Sequence, residues 1–327
     1  MKTITVSHIS HGILETGGFR HEQFLLNAIS ENLKKENYQV NNKTIRARKN
    51  FIGFDHVKLL WFGFINAVYD INIVVARIAS PAMIRNLFTN RKMMIVLHYF
   101  DERDGKKQSL RWYYHLLFFF LQNSSSKNVS IIVPSVYWVR YFEEKLNKNI
   151  PILLFPNFFE TNKYLAFNAA KKSNRIHLGQ YSWKNDQRIF DLAKELSILG
   201  FGCYFSTMQK SEVGEFEHYE IIFEDHATYL QSMAESLYTV SFIKVNEGWN
   251  RVAHESILVG TTLIGNNAGG LGDLIKESGS LMANTVDEFV ELIKSNTHSN
   301  CHKEFIEKYD VKNSDSFLKP ITDFINS

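Results

Sequence analysis

The chain reads as an α/β protein made of two doubly wound parallel sheets. Short apolar runs rich in Val, Ile and Leu alternate with longer helix-like stretches along its length. The alternation breaks once, at a polar stretch over 161–173, and then restarts. The apolar runs are continuous, as strands covered on both faces require. At 327 residues the chain has the length of two ordinary domains.

In the first unit, residues 1–160, the strands fall at Ile4–Val6, Ile71–Ala76, Met93–Leu97, Val129–Val133 and Ile152–Phe155. Helical patterns fall at Glu22–Lys35, Pro81–Thr89, Leu110–Gln122 and Tyr137–Leu146. A linker over 161–173 leads to the second unit, residues 174–327. Its strands are Ile176–Leu178, Gly202–Ser206, Glu220–Phe223, Tyr238–Ile243 and Thr261–Ile264. Its helices are Gln187–Leu199, Tyr229–Glu235, Arg251–Val259, Leu271–Lys276, Val286–Ser295 and Lys303–Tyr309. The last helix can cross back to the first unit. Two such units with a cleft between them bind ligands at the carboxyl ends of the strands.

Composition narrows the classes. Cys203 and Cys301 form no motif, which suits a reducing cytosol. The start, Met1-Lys2-Thr3-Ile4-Thr5-Val6, reads as a strand and lacks the apolar region of a signal peptide. No run reaches the roughly 20 apolar residues of a membrane span. Residues 1–160 carry 21 Lys and Arg against 12 Asp and Glu, a net +9, and the remainder is −6. A basic first half suits an anionic partner, although opposite fields would also help two domains meet. Neither the density nor the interleaving of charge suggests nucleic acid.

Glu247 and Glu255 carry the most information. Seven residues separate them, in Glu247-Gly248-Trp249-Asn250-Arg251-Val252-Ala253-His254-Glu255, just after an apolar strand. Glu247 then falls in the loop at the strand's carboxyl end and Glu255 in the first turns of a helix, whose N-terminus favours ionised carboxylates. The next strand ends in Gly265-Asn266-Asn267-Ala268-Gly269-Gly270. Backbone N–H groups at Gly269, Gly270 and Leu271 would there open a helix towards an anion. A nucleotide-diphosphate sugar needs both acceptors for hydroxyls and N–H donors for phosphate. The plain alternatives are a solvated loop acid, an ordinary early-helix glutamate and a tight glycine turn.

Other candidates stand at strand ends. Lys184 lies in Gly179-Gln180-Tyr181-Ser182-Trp183-Lys184-Asn185, after the first strand of the second unit, where a cation would neutralise a diphosphate. His98 directly follows Met93–Leu97; His11 and His254 are weaker candidates, and His8 belongs to the first strand. His11-Gly12-Ile13-Leu14-Glu15-Thr16-Gly17-Gly18 joins the first strand to the first helix but is not the dinucleotide pattern. Arg111–Leu121, dense in aromatics near Lys106 and Lys107, suits either a membrane interface or a helix packed on the sheet; Trp61-Phe62-Gly63-Phe64 is similar. No Asp-x-Asp occurs and no cluster has metal-ligand spacing, so neither a metal nor a cofactor is expected.

Taken in order, these motifs resemble those of the retaining glycosyltransferases of family 4, which have the GT-B fold. The resemblance covers most of the chain, including Ile131-Ile132-Val133-Pro134-Ser135 and Leu153-Leu154-Phe155-Pro156-Asn157. It implies two Rossmann-like domains facing a central cleft. It implies that Glu255 binds the nucleotide ribose, that Glu247 and His98 lie by the donor sugar, and that Lys184 binds the diphosphate. Gly269, Gly270 and Leu271 would meet phosphate or sugar hydroxyls, and Gly17 and Gly18 would close over the donor. One departure stands out: the family usually has arginine where this chain has Gln180, and Arg251 is a conceivable substitute. The implied activity is metal-independent transfer of a hexose-type sugar from a nucleotide sugar to a glycan or lipid-linked acceptor, as in cell-surface polysaccharide or glycolipid synthesis. The implied location is the cytoplasm, with an anionic membrane surface as a further partner. A nucleotide-sugar epimerase and a non-catalytic glycan- or nucleotide-binding protein are the alternatives.

Overall fold

The computed structural model describes residues 2–10, 17–46, 55–86, 88–89, 91–98, 108–123, 127–146, 150–167, 172–299 and 303–327. They form two compact units: Met1–Asn157 with Ser314–Ser327, and Phe158–Asn313. Among the sequence candidates, His11 to Thr16, Lys106 and Lys107 lie outside the described residues.

In chain order the first unit contains β1 (Thr3–Ser10), α1 (Gly17–Lys35), β2 (Gln39–Arg46), α2 (Asp55–Asn66), β3 (Ile71–Val75) and α3 (Ala76–Asn86). Then come β4 (Lys92–Val96), α4 (Gln108–Asn123), β5 (Val129–Val133), α5 (Val136–Lys145) and β6 (Ile152–Leu154). All six strands are parallel, in the order β2-β1-β3-β4-β5-β6. Every residue of β3 and β5 is buried, which explains why both are apolar at every position except Asn72 and Ser130. One face of the sheet packs Ile9, Val74, Ile95 and Ile131 against Ile78, Leu117 and Trp138. The α4 helix therefore packs on the sheet: Leu117 and Leu121 are buried while Phe119 stays exposed. Among the described residues no helix is long and apolar enough to cross a membrane.

The second unit continues with α6 (Asn162–Leu165), β7 (Ser173–Gln180), α7 (Arg188–Ile198), β8 (Gly202–Thr207), β9 (Gly214–Glu215) and β10 (Glu220–Phe223). It goes on with α8 (His226–Glu235), β11 (Ser236–Ser241), α9 (Arg251–Leu258), β12 (Thr262–Gly265) and α10 (Gly270–Ser278). The last elements are β13 (Leu281–Met282), α11 (Val286–Lys294), α12 (Lys303–Lys308) and α13 (Asp315–Asn326), and α13 belongs to the first unit. There, Asn32 of α1 donates to the Thr322 hydroxyl at 2.6 Å, and Leu318, Ile321 and Phe324 are buried.

The second sheet runs β13-β12-β11-β7-β8-β10-β9, parallel except for the short β9. With β9 set aside, this is the 3-2-1-4-5-6 order of dinucleotide-binding sheets, and it reverses between β7 and β11. Such sheets bind ligands outside the carboxyl ends of the two strands at the reversal.

Candidate functional site

At that end of the second sheet, the loops after β7, β11 and β12 are joined by hydrogen bonds. Lys244 N–H donates to Lys184 O at 3.0 Å, and Asp186 N–H donates to Phe242 O at 2.9 Å. The Asn266 side chain holds Ile243 by both polar atoms: Oδ1 accepts from its N–H (3.1 Å) and Nδ2 donates to its carbonyl (2.7 Å). Gly270 N–H donates to Glu247 O at 2.7 Å. The three loops thus form one connected floor at the switch point.

Two charged groups sit on that floor. Lys184 Nζ is 2.7 Å from Glu247 Oε1; the lysine is part-exposed and the glutamate nearly buried. Glu255 projects from α9, a helix aimed by its own cap. The Asn250 side chain accepts from Ala253 N–H at 2.9 Å and donates to the Ser241 hydroxyl at the end of β11. Buried Glu255 accepts from the Tyr229 hydroxyl at 3.2 Å and from Arg251 Nη2 at 3.3 Å, with His226 Nε2 at 3.7 Å. Burial alone would raise the Glu255 carboxyl, but the His226 contact and the Arg251 charge outweigh it and hold it below its ordinary value. Arg251 in turn stacks over Phe159, 4.5 Å from the ring centroid. Gln180 is exposed at the end of β7. An ionised acceptor, a cation and an amide are therefore presented by one sheet edge.

The glycine pair behaves differently from the expectation of open donors. Gly270 N–H goes to Glu247 O, and Leu271 N–H donates to Ala268 O at 3.2 Å. The cause is the close crossing of two backbones. Gly269 has φ 60°, ψ −130°, and a Cβ there would meet Glu247 O at 2.7 Å and the Asn246 carbonyl carbon at 2.9 Å. Glycine is required so that the acid loop and the start of α10 can touch.

His254 is buried as a structural residue. Its Nδ1 accepts from the Trp249 indole N–H at 3.1 Å, and its ring lies 4.2 Å from Phe159 and 4.9 Å from Phe305. Burial holds its pKa well below the ordinary value, so it is neutral. This aromatic box anchors the stretch between the two glutamates.

The first unit brings His98 into a polar cluster that sequence reading left unassembled. Glu22, buried on α1, places Oε1 2.8 Å from His98 Nε2 and Oε2 2.6 Å from His8 Nε2. Gln23 Nε2 is 2.6 Å from His8 Nδ1. Gly17 and Gly18 are the first residues of α1, and a Cβ on Gly18 would come within 3.1 Å of the His98 ring. No local signal marks Glu22: it sits in a polar stretch, Arg20-His21-Glu22-Gln23, whose inward turn only the packed helix shows. His226 and Tyr229 were likewise invisible as partners of Glu255, being more than 20 residues away in sequence.

Burial pushes the Glu22 carboxyl up, but the hydrogen bonds from His8 and His98 prevail and bring it from an ordinary 4.5 down to about 2. Its contribution to stability is therefore present above pH 4.5 and lost as pH falls towards 2. Denaturant unfolding of the wild type and Glu22→Gln from about pH 6 to about pH 3 should show the stability gap shrinking with acid. A gap that stays constant would contradict it. Among the described residues, no three His, Cys, Asp or Glu side chains gather as a metal site.

No protein-family model matches the chain, and no curated protein matches its sequence. Solved structures do match. Anabaena HepE, in complex with UDP and glucose, superposes with a TM-score of 0.70 at 13% identity, covering 98% of this chain and 99% of that one. A glycosyltransferase from Rickettsia africae gives a TM-score of 0.65 at 13% identity, covering 99% and 98%. The UDP-GlcNAc 2-epimerase from Methanocaldococcus jannaschii gives 0.57 at 11% identity, covering 98% and 99%. The two Rossmann-like sheets and these matches make the fold GT-B. At such identities the likeness extends to the fold alone.

Proposed function

We propose that the chain is a glycosyltransferase that moves a sugar from a nucleotide-diphosphate donor to a glycan or lipid-linked acceptor, with retention of configuration and without a metal ion. The observation that carries this reading is the Lys184–Glu247 pair, with Glu255 on the following helix, at the switch point of a 3-2-1-4-5-6 sheet. In this reading Glu255 accepts from ribose hydroxyls, Lys184 meets the diphosphate, and Glu247 and His98 serve the transferred sugar. The likeness to HepE, whose structure holds UDP and glucose, supports a uridine nucleotide as the first donor to try.

Two measurements test it. Thermal shift with a panel of nucleoside diphosphates should find one that stabilises the protein, by about 2.7 kcal/mol at 100 times its Kd. Incubation with radiolabelled nucleotide sugars, with and without a lipid-linked acceptor, then separates transfer from isomerisation and from binding alone. The exposed Gln180, where the resembling family has arginine, favours binding alone as the second reading.

Glu255→Ala should weaken nucleotide affinity by roughly 10- to 100-fold, because a hydrogen bond to a charged acceptor is worth about 1.5–3 kcal/mol. Titration calorimetry on the folded variant measures this, and an unchanged Kd removes Glu255 from the site. Membrane association belongs to the same proposal. Trp61, Ile65, Phe88 and Phe119 are exposed on the first unit, and residues 1–160 are net basic. Anionic vesicles should sediment more protein than neutral ones, and salt should abolish the difference, at about 1 kcal/mol per basic residue near the surface. Equal sedimentation with both lipids refutes it.

A further inference from the structure

The cluster beneath His98 has a specific chemical consequence. An ionised carboxylate only accepts hydrogen bonds, so each nitrogen that faces Glu22 must carry a proton. For His98 that nitrogen is Nε2, and for His8 it is also Nε2. Gln23 donates to His8 Nδ1, and the Nε2 proton of His8 is directed at Glu22. His8 is wholly buried and Glu22 nearly so, whereas about a quarter of the His98 side chain is exposed. The cluster therefore runs outward from a fixed interior to one accessible imidazole.

Packing fixes the same ring. The His21 ring lies edge-on to His98, with centroids 5.2 Å apart at 76°, and its Nε2 is 2.7 Å from the Phe155 carbonyl. Gly18 backs the His98 ring closely: a Cβ there would come within 3.1 Å and press the ring by a few tenths of an ångström. His98 can neither turn over nor exchange its two nitrogens without breaking the bond to Glu22. Among the described residues its Nδ1 has no hydrogen-bond partner.

We propose that Glu22, supported by His8 and Gln23, is a positioning residue that holds His98 in its Nε2–H tautomer and presents Nδ1 as an acceptor for a hydroxyl of the bound sugar. This rests on the reading of His98 as a sugar-facing group. The hydrogen bond on one imidazole nitrogen sets what the other can do. A neutral Nδ1 accepts from a hydroxyl, while the opposite tautomer would confront the same hydroxyl with an N–H. The interior histidine and glutamine matter because they keep both carboxylate oxygens directed and dry. The two histidines face different carboxylate oxygens, so glutamine at position 22 in the same pose would meet one of them with its NH2 group instead of an acceptor.

The first test needs no substrate. Nitrogen-15 NMR of histidine-labelled protein, with His98 assigned by its absence in His98→Ala, should show His98 protonated at Nε2 and unprotonated at Nδ1. Glu22→Gln should shift His98 to mixed or opposite tautomers. In the kinetic arm, Glu22→Gln should lower kcat about 10- to 100-fold, in the range typical of groups that orient a functional ligand, while KM for the donor changes less than about threefold. Added to His98→Ala, it should cost nothing more, since it acts only through that ring. A wild-type His98 protonated at Nδ1, a tautomer unaffected by Glu22→Gln, or additive losses in the double variant would each overturn the proposal. If no nucleotide sugar is turned over, the functional reading falls, while the NMR result still decides whether Glu22 sets the tautomer.

Discussion

Lys184→Ala should lower sugar transfer by about 100- to 1000-fold, the effect of removing one preorganised charge-stabilising donor worth roughly 2.7–4 kcal/mol. In the proposed reaction, negative charge grows on the departing diphosphate, so a cation there acts more on turnover than on ground-state affinity. Gln180 supplies no charge beside it. The variant has a second consequence, because Lys184 Nζ lies 2.7 Å from Glu247 Oε1 and the glutamate is nearly buried. Without the lysine, the Glu247 carboxylate loses a close counter-charge and turns towards solvent or towards another cation. Lys184→Arg should therefore recover stability more fully than rate, since a planar guanidinium pairs with the carboxylate but reaches a phosphate differently. Single-turnover kinetics with saturating donor make the measurement. Near-normal turnover in Lys184→Ala would move the diphosphate role to Arg251 or away from this loop.

Gly269→Ala should be the most disruptive small substitution in the second unit. The new Cβ would sit 2.7 Å from Glu247 O, on a backbone with φ 60°. Backbone strain of this kind costs on the order of 1–3 kcal/mol, and the clash with a carbonyl adds to it. Relief comes only by parting the Asn246–Glu247 backbone from α10, which breaks the Gly270-to-Glu247 hydrogen bond and displaces the Glu247 side chain. Stability and donor affinity should therefore fall together, by several degrees in Tm and at least tenfold in Kd, since a kilocalorie is about 2–4 °C for a unit of this size. Gly270→Ala, by contrast, keeps an ordinary helical start and tests whether the effect is particular to position 269. A variant with wild-type Tm and affinity would show that the two loops need not touch.

The sheet centres were legible because physics writes them locally. Ile71–Val75 and Val129–Val133 are buried on both faces, and each is apolar at every position but one, Asn72 in the first and Ser130 in the second. β2 was not, since an edge strand reading Gln39-Val40-Asn41-Asn42-Lys43-Thr44 has mostly exposed side chains and no period. Trp61-Phe62-Gly63-Phe64 showed its hydrophobicity but hid its helix, because apolar residues surround α2 on every side. At the candidate site, spacing located Glu247 and Glu255 on a loop and a helix. It also predicted exposed backbone donors where the structure closes Gly270 onto Glu247. The bond depends on how near β11 and β12 bring their following loops, which no single segment encodes. Glu22 is the same case in the other unit: a polar helix residue becomes an interior acceptor once two strands deliver histidines to it.

The assignment of α13 to the first unit sets an order of events during synthesis. The second unit is one uninterrupted stretch, Phe158–Asn313, whereas the first is completed only when Ser314–Ser327 emerges. Between the end of β6 at Leu154 and the start of α13 at Asp315 the ribosome adds about 160 residues, a delay on the order of ten to thirty seconds at ordinary elongation rates. For that time the seat of Leu318, Ile321 and Phe324 beside α1 has no occupant, and the nascent first unit shows an apolar strip to the cell. The second unit, although made later, can close before the first is finished. Chaperone dependence and premature proteolysis should therefore concentrate on the half of the chain that is translated first.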